Sequence, residues 1–549
     1  MAEGKRAMVA SAHLDSFARD NLPPRAHWPD LIFTRPELHY PERLNAAVEL
    51  LDRMVEQGHG PRPCLIGGGL RWSYAELLER ANRIANVLVH DLGLVPGHRV
   101  LLRGYNGAML AACWFAVLKA GGIAVTTMPL LRAGELHKIV DKARIGLALC
   151  DARLGAELES CAAAATVLER IVYWGGTGDS GLELLARRRS DAPQAVATAA
   201  EDVALIAFTS GTTGEPKGTL HFHRDVLAIC DAFPRSILRA QPSDLFTGSP
   251  PLAFTFGLGG LLLFPMRIGA AALLLERAPP ERLLDAIEHD RASVLFTAPT
   301  GYRAMLGKLA GRDLSALRKC VSAGEALPAA TWEAWRAATG IRIIDGLGAT
   351  ELLHIFISAR EEEMRPGYTG KVVPGYEARI VDDQMRSLPD GTAGRLAVRG
   401  PTGCRYLADP RQTQYVRDGW NLTGDTYVRE PDGYFRYQAR SDDMIISAGY
   451  NIAGPEVEEA LLRHPAVLEC GVVGAPDPER GQIVKAFVVL HQDRAGDAEL
   501  VRELQEHVKA LIAPFKYPRA IEFVASLPKT PTGKLQRYRL RAMAQDAAT

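Results

Sequence analysis

Helical and strand-like patterns of hydrophobic residues alternate along the first part of the chain. Residues 74–88 repeat apolar side chains at helical spacing, and a short apolar run at 99–102 follows them. The alternation returns with a helical pattern at 111–120 and strand-like runs at 123–127 and 147–150. Strands and helices in turn predict βαβ units around a mostly parallel sheet.

A continuous apolar run at residues 203–208 leads directly into a loop rich in glycine and hydroxyl residues, 209–218. Residues 221–233 after the loop are predicted to form a helix. A strand, a glycine loop and a helix in that order direct backbone N–H groups at phosphate. A Walker loop needs glycine immediately before lysine, and Pro216-Lys217-Gly218 reverses that order, so this phosphate loop is of another kind.

The hydrophobic pattern changes twice more towards the C-terminus. A second α/β series runs to about residue 344, and short strand-like segments with Pro-Asp-Gly turns at 370–437 predict a separate β lobe. The remaining residues have the size of a small domain. The sequence therefore predicts an α/β protein with a large N-terminal domain, 1–441, of two α/β sheet lobes and a β lobe, and a small mobile α+β C-terminal domain, 442–549.

Charge and cysteine content narrow the class of function. The 64 Lys and Arg residues balance 64 Asp and Glu residues, so no basic field attracts nucleic acid. The eight cysteines include no C-x-x-C pair, which argues against a zinc site or a disulfide framework. Charged residues or proline interrupt the apolar stretches 111–131 and 258–275, and no signal peptide is indicated. We therefore expect a cytoplasmic protein without a membrane or nucleic-acid partner.

The loop Thr-Ser-Gly-Thr-Thr-Gly-Glu-Pro-Lys-Gly at 209–218 resembles the phosphate loop of the adenylate-forming superfamily, which includes acyl-CoA synthetases, peptide-synthetase adenylation domains and luciferases. Six further segments match that family in order along the chain: 323–328, 348–351, 423–425, 437–442, 449–452 and 531–534. A chance match of seven ordered motifs is negligible. The likeness extends from about residue 70 to the C-terminus.

The resemblance implies a site for ATP and Mg²⁺ on the large domain. Glu351 is implied as the Mg²⁺ ligand and Thr350 as a phosphate contact, and both count as catalytic. Asp425 is implied to accept the ribose hydroxyls, and Arg440 to lie near ribose and α-phosphate. The other implied nucleotide-binding residues hold the β- and γ-phosphates or border the adenine: Thr209, Ser210, Gly211, Thr212, Thr213, Lys217, Gly324, Glu325, Ala326 and Gly348.

The resemblance also implies a moving catalytic lysine. Lys534 would bridge the attacking carboxylate and the α-phosphate, because a fixed cation stabilises the point where two negative groups meet. Asp442 is implied as the hinge about which the small domain rotates between an adenylate-forming and a thioester-forming pose. In the second pose Gly449 and Tyr450 would face the pantetheine arm of coenzyme A.

Within the superfamily the chain is most similar to benzoate- and 2-aminobenzoate-CoA ligases, through residues 15–24, 345–357 and 514–518. Leu347 departs from the tyrosine of many other members but suits this aryl branch. The implied acid pocket combines small residues with an aromatic wall and would fit a flat ring. It is lined by Phe256, Ala323, Gly324, Gly346, Gly348, His354 and Ile355.

The implied reaction joins an aromatic carboxylate to coenzyme A by way of an aryl-AMP. The sequence leaves open which aryl acid is used. It also leaves open an enzyme that loads a carrier protein's phosphopantetheine, a fatty acyl-CoA synthetase, and a non-catalytic nucleotide-binding relative. Retention of Lys217, Glu351 and Lys534 argues against the last of these. The family resemblance makes a homodimer an expectation without naming a contact surface.

Overall fold

The computed structural model describes residues 9–165, 167–176, 181–192, 195–209, 215–440, 443–447, 450–477, 480–491, 494, 496–512, 514–530 and 534–546. Within these residues the expected architecture of two α/β sheet lobes, a β lobe and a smaller C-terminal domain is confirmed. No helix in the described part of the chain is long and apolar enough to cross a membrane.

The first lobe is built on a six-stranded sheet. Its first five strands run parallel in the spatial order Arg170–Trp174, Leu147–Asp151, Arg99–Arg103, Ile123–Thr127 and Val203–Thr209, and Lys217–Phe222 joins antiparallel at the edge. The central strand Arg99–Arg103 is buried at every position, as expected for a parallel sheet covered by helices on both faces. Its core continues into that of the second lobe.

The second lobe is a nine-stranded mixed sheet. In spatial order its strands are Lys371–Val372, Ile355–Ser358, Ile343–Gly348, Lys319–Ala323, Val294–Thr297, Leu245–Gly248, Ala271–Leu273, Pro63–Gly67 and Leu70–Ser73. The six strands from Ile343–Gly348 to Pro63–Gly67 are parallel. Loops that follow parallel strands meet at one edge of the sheet, which is where α/β proteins bind ligands.

Short helices cover both sheets. The helix Tyr74–His90 begins with a capping box, in which Ser73 Oγ accepts from the Glu76 N–H and the Glu76 carboxylate accepts from the Ser73 N–H. The other α-helices of the large domain are Phe17–Asp20, Ala108–Lys119, Ala133–Ala143, Gly155–Ala164, Leu182–Arg187, His223–Phe233, Thr255–Leu258, Phe264–Ile268, Pro280–Glu288, Pro299–Leu306, Ala329–Thr339 and Gln412–Tyr415.

The predicted helix at 221–233 starts two residues later than expected. Residues Lys217–Phe222 form a strand that returns antiparallel to Val203–Thr209, and the helix begins at His223. The phosphate loop therefore connects two antiparallel strands, and the predicted strand-loop-helix order is wrong. In this strand Gly218 to Phe222 are all buried. A continuous buried run has neither the period of a half-buried strand nor that of an amphipathic helix, so the sequence pattern does not distinguish the two.

The β lobe and the C-terminal domain follow. The β lobe is an antiparallel sheet of Glu377–Val381, Ala393–Arg399, Val416–Arg417, Trp420–Arg429 and Phe435–Arg440. The C-terminal domain has a hairpin, Ile445–Ser447 with Tyr450–Ile452, and a three-stranded sheet, Val467–Asp477, Gly481–Leu490 and Ala520–Phe523. Its helices are Gly454–Leu462, Ala498–Leu511 and Arg537–Asp546. The predicted hinge Asp442 lies outside the described residues, so the boundary at 441/442 stays a prediction.

Candidate active site

The phosphate loop is anchored at both ends by the hairpin that carries it. Thr209 and Lys217 are register partners on the two antiparallel strands, so the loop leaves and rejoins the sheet at one point. The predicted phosphate contacts Ser210, Gly211, Thr212 and Thr213 lie outside the described residues. The structure thus fixes where the loop starts and ends.

Lys217 and Glu351 meet through a tyrosine. Lys217 Nζ donates to the Tyr406 hydroxyl at 3.1 Å, and that hydroxyl donates to the Glu351 carboxylate. Lys217 Nζ also lies 3.7 Å from Glu351 Oε1. Burial and the Glu351 charge raise the pKa of Tyr406 well above its ordinary value, so the phenol remains a donor. The arrangement holds a nearly buried carboxylate beside the phosphate loop.

The backbone of Thr350 is held by His221, on the strand Lys217–Phe222 that follows the phosphate loop. His221 Nε2 lies 2.8 Å from the Thr350 carbonyl oxygen, which can only accept, so Nε2 carries the proton. His221 Nδ1 faces Asp225, and Asp225 in turn pairs with Arg405. This buried chain ties the segment that carries Glu351 to the base of the phosphate hairpin.

Asp425 and Arg440 lie opposite each other on neighbouring strands of the β lobe. Arg440 Nη1 is 3.4 Å from Asp425 Oδ1 and 3.2 Å from the Thr423 carbonyl oxygen. Between them Gly424 has φ +78°, and a Cβ built there would lie 2.8 Å from Arg440 Nη2. Glycine at this position therefore leaves room for the guanidinium beside the carboxylate.

Lys534 reaches from the small domain to the large one. A Cβ built on Gly324 would lie 3.3 Å from its Cε and 3.8 Å from its Nζ. Desolvation in the cleft lowers the pKa of Lys534, although this residue remains exposed, and raises the pKa of the half-buried Glu325. Each charge partly offsets the effect on the other. Among the smaller effects on its pKa, the Arg440 charge lowers it and the Asp425 charge raises it, so the predicted ribose pair acts on the predicted catalytic lysine.

The predicted adenine strip continues from the end of the strand Lys319–Ala323. Gly324 and Ala326 are exposed, while Glu325 is half-buried. Gly348 is also exposed, at the end of the adjoining strand Ile343–Gly348. These residues border one edge of the second sheet.

A buried acid lies beneath this edge. Asp345 pairs in register with Ser322, and its side chain is almost fully buried. Burial raises its pKa to about 8, although the neighbouring Gly346 N–H and Ser322 hydroxyl oppose the shift. Sequence reasoning did not single out Asp345, and only its burial reveals it.

His354 lies inside an aromatic cage. Its ring centroid is 4.5 Å from that of Phe264, 5.8 Å from Phe256 and 5.9 Å from Phe233. Burial lowers its pKa to about 3, so the imidazole is neutral at physiological pH. The Phe256 backbone interacts with the imidazole, but neither ring nitrogen meets full hydrogen-bond geometry with a described residue. A buried polar group without a partner is uncommon and calls for an explanation.

The remaining predicted pocket residues adjoin this cage. Gly346 pairs in register with Ala323, and a Cβ on Gly346 would lie 2.6 Å from Ile355 Cδ1. A Cβ on Gly348 would lie 3.0 Å from the His354 backbone. The small residues are therefore required by the close approach of the segment that carries His354 and Ile355. The structure brings all the described pocket residues together at one edge of the second sheet.

Several side chains at the site carried no sequence signal. Tyr406 is 189 residues from Lys217 along the chain and belongs to no motif identified from sequence. His221 appeared only as the start of a predicted helix. Phe233 and Phe264 looked like ordinary core residues of helices, because a sequence pattern does not tell which buried ring borders a ligand pocket.

Known proteins similar to this chain share both its sequence and its fold. Residues 52–406 match the family model described as AMP-binding enzyme, and residues 456–534 match the one described as AMP-binding enzyme C-terminal domain. The benzoate–CoA ligase of Thauera aromatica is 36% identical over 93% of this chain and 98% of its own length. The 4-hydroxybenzoate–CoA/benzoate–CoA ligase of Rhodopseudomonas palustris is 34% identical over 91% of this chain and 94% of its own length.

Solved structures agree with these matches. The crystal structure of an anthranilate CoA ligase in complex with anthranoyl-AMP superposes with a TM-score of 0.90 at 36% identity, covering 94% of this chain and all of that one. A benzoate CoA ligase from Burkholderia xenovorans superposes with a TM-score of 0.83 at 33% identity, covering 90% of this chain and 99% of its own. On the extent of these matches, the chain belongs to the AMP-binding enzyme family, in its aryl-CoA ligase branch.

Proposed function

We propose that the protein is an ATP-dependent aryl-CoA ligase. It joins an aromatic carboxylate to ATP to form an aryl-AMP and pyrophosphate, and then transfers the aryl group to the thiol of coenzyme A with release of AMP. The similarity to ligases named for benzoate, 4-hydroxybenzoate and anthranilate supports an aromatic acid as substrate. The same similarity favours free coenzyme A over a carrier protein.

One observation carries the proposal: Lys534 lies at the point where the acid pocket meets the nucleotide strip. Gly324, against which Lys534 packs, directly follows Ala323, and Ala323 pairs in register with Gly346 of the pocket. A ring held between Gly346 and the His354 cage would thus present its carboxylate towards the Lys534 ammonium. There the cation offsets the repulsion between carboxylate and α-phosphate as they approach.

The phosphate side of the site suits ATP with Mg²⁺. Glu351 supplies a hard carboxylate oxygen beside the phosphate hairpin, and Mg²⁺ is commonly held by one or two carboxylates together with substrate phosphates. Glu351 would therefore hold the ion, which would neutralise charge on the departing pyrophosphate. Lys217 lies 3.7 Å from Glu351, Thr350 precedes Glu351 in the chain, and both would contact the phosphates. Tyr406 would orient the Glu351 carboxylate, and His221 would orient the backbone of Thr350.

The ribose would be held by Asp425, with Arg440 between the ribose and the α-phosphate. The adenine would lie on Gly324, Glu325 and Ala326, next to Gly348. The two oxygens of the Asp425 carboxylate can accept hydrogen bonds from two vicinal hydroxyls. Arg440 lies beside the same carboxylate. The charges of Asp425 and Arg440 both act on Lys534, which supports a common binding site for the ribose and the α-phosphate next to that lysine.

The described pose is the one expected for the first half-reaction, because Lys534 is in the cleft. The second half-reaction would require the small domain to rotate about Asp442 and bring Gly449 and Tyr450 to the thiol arm. Asp442 and Gly449 lie outside the described residues, as does the side chain of Tyr450. This rotation stays a prediction that separate measurement of the half-reactions can address.

Among aromatic acids we propose a benzoate with a hydrogen-bonding substituent, of the 2-aminobenzoate or hydroxybenzoate type. The neutral His354 imidazole carries one donor and one acceptor nitrogen inside an otherwise apolar cage. An amino or hydroxyl group on the ring would satisfy it. Plain benzoate would leave the imidazole without this additional hydrogen bond, which costs free energy in a buried site.

The test is pyrophosphate release with purified protein, ATP, Mg²⁺ and a panel of benzoate, aminobenzoates, hydroxybenzoates and fatty acids. We expect release to depend on an aromatic acid, and the thioester to form only when coenzyme A is added. Release without any aryl acid, or faster release with long-chain fatty acids, would contradict the assignment. Aryl transfer to a phosphopantetheinyl carrier protein but not to coenzyme A would identify the acceptor as a carrier protein.

A further inference from the structure

The loop that carries Lys534 is closed at its base. Lys529 and Leu535 pair as an antiparallel bridge across the loop. Inside that bridge the Thr530 N–H donates to the Lys534 carbonyl at 2.7 Å, and the Lys534 N–H donates to Thr530 Oγ1 at 3.0 Å. The backbone of Lys534 is therefore held directly to the residue next to Lys529, so a displacement of the loop base displaces the catalytic ammonium.

Glu469, on the strand Val467–Asp477 of the small domain, pairs with Lys529 at the base of this loop. Lys529 Nζ lies 2.7 Å from each oxygen of the Glu469 carboxylate. Two contacts of this length hold Lys529 more tightly than a single ion pair would. Glu469 and the Lys534 loop consequently move as one unit.

The same carboxylate is tied to the large domain. Arg303, on the helix Pro299–Leu306, places Nη2 3.4 Å from Glu469 Oε1. About a quarter of the Arg303 side chain and a fifth of the Glu469 side chain remain exposed, so solvent screens the pair without abolishing it. Arg303 also acts on Glu325, which borders the cleft. Its charge therefore acts on one carboxylate of each domain.

We propose that Arg303 is a positioning residue for the first half-reaction, which docks the Lys534 loop through Glu469. The inference rests on the proposed function, in which the small domain adopts different poses in the two half-reactions. The pair joins the domains only while Lys534 is in the cleft. Its contribution therefore favours aryl-AMP formation, and the rotation that begins thioester formation breaks it.

The experiment measures both half-reactions for Arg303→Gln, using whichever acid gives the fastest ATP–pyrophosphate exchange. We expect the rate of aryl-AMP formation to fall about two- to fivefold, the effect typical of a solvent-accessible ion pair. Thioester formation from supplied aryl-AMP and coenzyme A should be unchanged or slightly faster. Glu469→Gln should show the same split with at least as large a loss, because it also releases Lys529. The double variant should be no slower than Glu469→Gln, since Arg303 acts through Glu469.

Arg312→Gln is the matched control. Arg312 has similar exposure to Arg303 and pairs with Asp285 and Glu288, but all three residues lie within the large domain. It should alter neither half-reaction. Equal losses in both half-reactions, no loss in Arg303→Gln, or additive losses in the double variant would overturn the inference. A wild-type protein without aryl-dependent exchange would contradict the proposed function instead, so the two failures are distinguishable.

Discussion

The side chain of Lys534 lies against Gly324 of the other domain. A Cβ built on Gly324 would be 3.3 Å from the Cε atom of Lys534. This contact joins two motifs that are far apart along the chain, the 323–328 segment of the large domain and the 531–534 segment of the small one. Glycine suits position 324 for two reasons. It leaves room for the Lys534 side chain, and it adopts φ +94° without strain. The relationship can be tested from both of its residues.

From the lysine side, Lys534→Ala should slow aryl-AMP formation by about 10²–10³-fold, the loss seen when one charge-stabilising group is removed from an active site. Thioester formation from supplied aryl-AMP should persist, because Lys534 leaves the cleft in that step. Stopped-flow pyrophosphate release and a thioester assay measure the two rates. Lys308→Ala removes a lysine that pairs with Glu281 on the surface of the large domain and is the matched control. Equal loss of both steps would remove Lys534 from its assigned role.

From the glycine side, Gly324→Ala should slow the same step by displacing the lysine. Alanine at φ +94° adds backbone strain of about 1–2 kcal/mol, so a control with the same strain is needed. Gly340→Ala provides it, since Gly340 has φ +76° with nothing within 4 Å of a built Cβ. Both variants should lose similar stability in urea denaturation, and only Gly324→Ala should lose aryl-AMP formation. Similar rates for the two variants would show that the contact with Lys534 is unimportant.

Sequence reasoning predicted the lobes, most strands and the motifs, because these depend on local periodicity and on residue order. It failed at Lys217–Phe222, where an unbroken buried run was assigned partly to a helix. It could not foresee Tyr406, whose link between Lys217 and Glu351 arises from strand pairing between Thr219 and Tyr406. It also missed Phe233 and Phe264, because tertiary packing alone decides which buried rings face His354.

Tyr406→Phe should raise the Mg²⁺ concentration needed for half-maximal aryl-AMP formation about tenfold, as expected when a group that orients a metal ligand is lost. The phenol holds both Lys217 and Glu351, so its removal frees the carboxylate. Saturating Mg²⁺ should restore most of the rate. Tyr415→Phe is the control, because the Tyr415 hydroxyl is buried without a hydrogen-bond partner among described residues and its ring packs on Tyr406. An unchanged Mg²⁺ dependence in Tyr406→Phe would show that Tyr406 does not orient Glu351.

His354→Leu should reduce the preference for 2-aminobenzoate over benzoate, measured as the ratio of kcat/KM values. One lost hydrogen bond corresponds to a change of about two- to tenfold in that ratio. Because the pKa of His354 is about 3, the wild-type ratio should be constant between pH 5 and pH 8. Phe264→Leu trims the cage without touching the imidazole nitrogens and should affect both acids alike. A ratio unchanged by His354→Leu would exclude a contact between His354 and the substituent.

Asp345→Asn should remove a pH dependence of stability. Burial raises the pKa of Asp345 from 3.8 to about 8, so between these values the folded protein keeps a proton that the unfolded chain releases. The free energy of unfolding therefore falls as pH rises, by at most about 1.4 kcal/mol per pH unit. The neutral amide cannot titrate, so the urea midpoint of the variant should fall less between pH 5 and pH 8 than that of the wild type. Asp313→Asn is the control, because the pKa of that exposed carboxyl is lowered to about 2 and it does not titrate in this range. Parallel pH profiles for Asp345→Asn and the wild type would show that Asp345 is ionised in the folded protein.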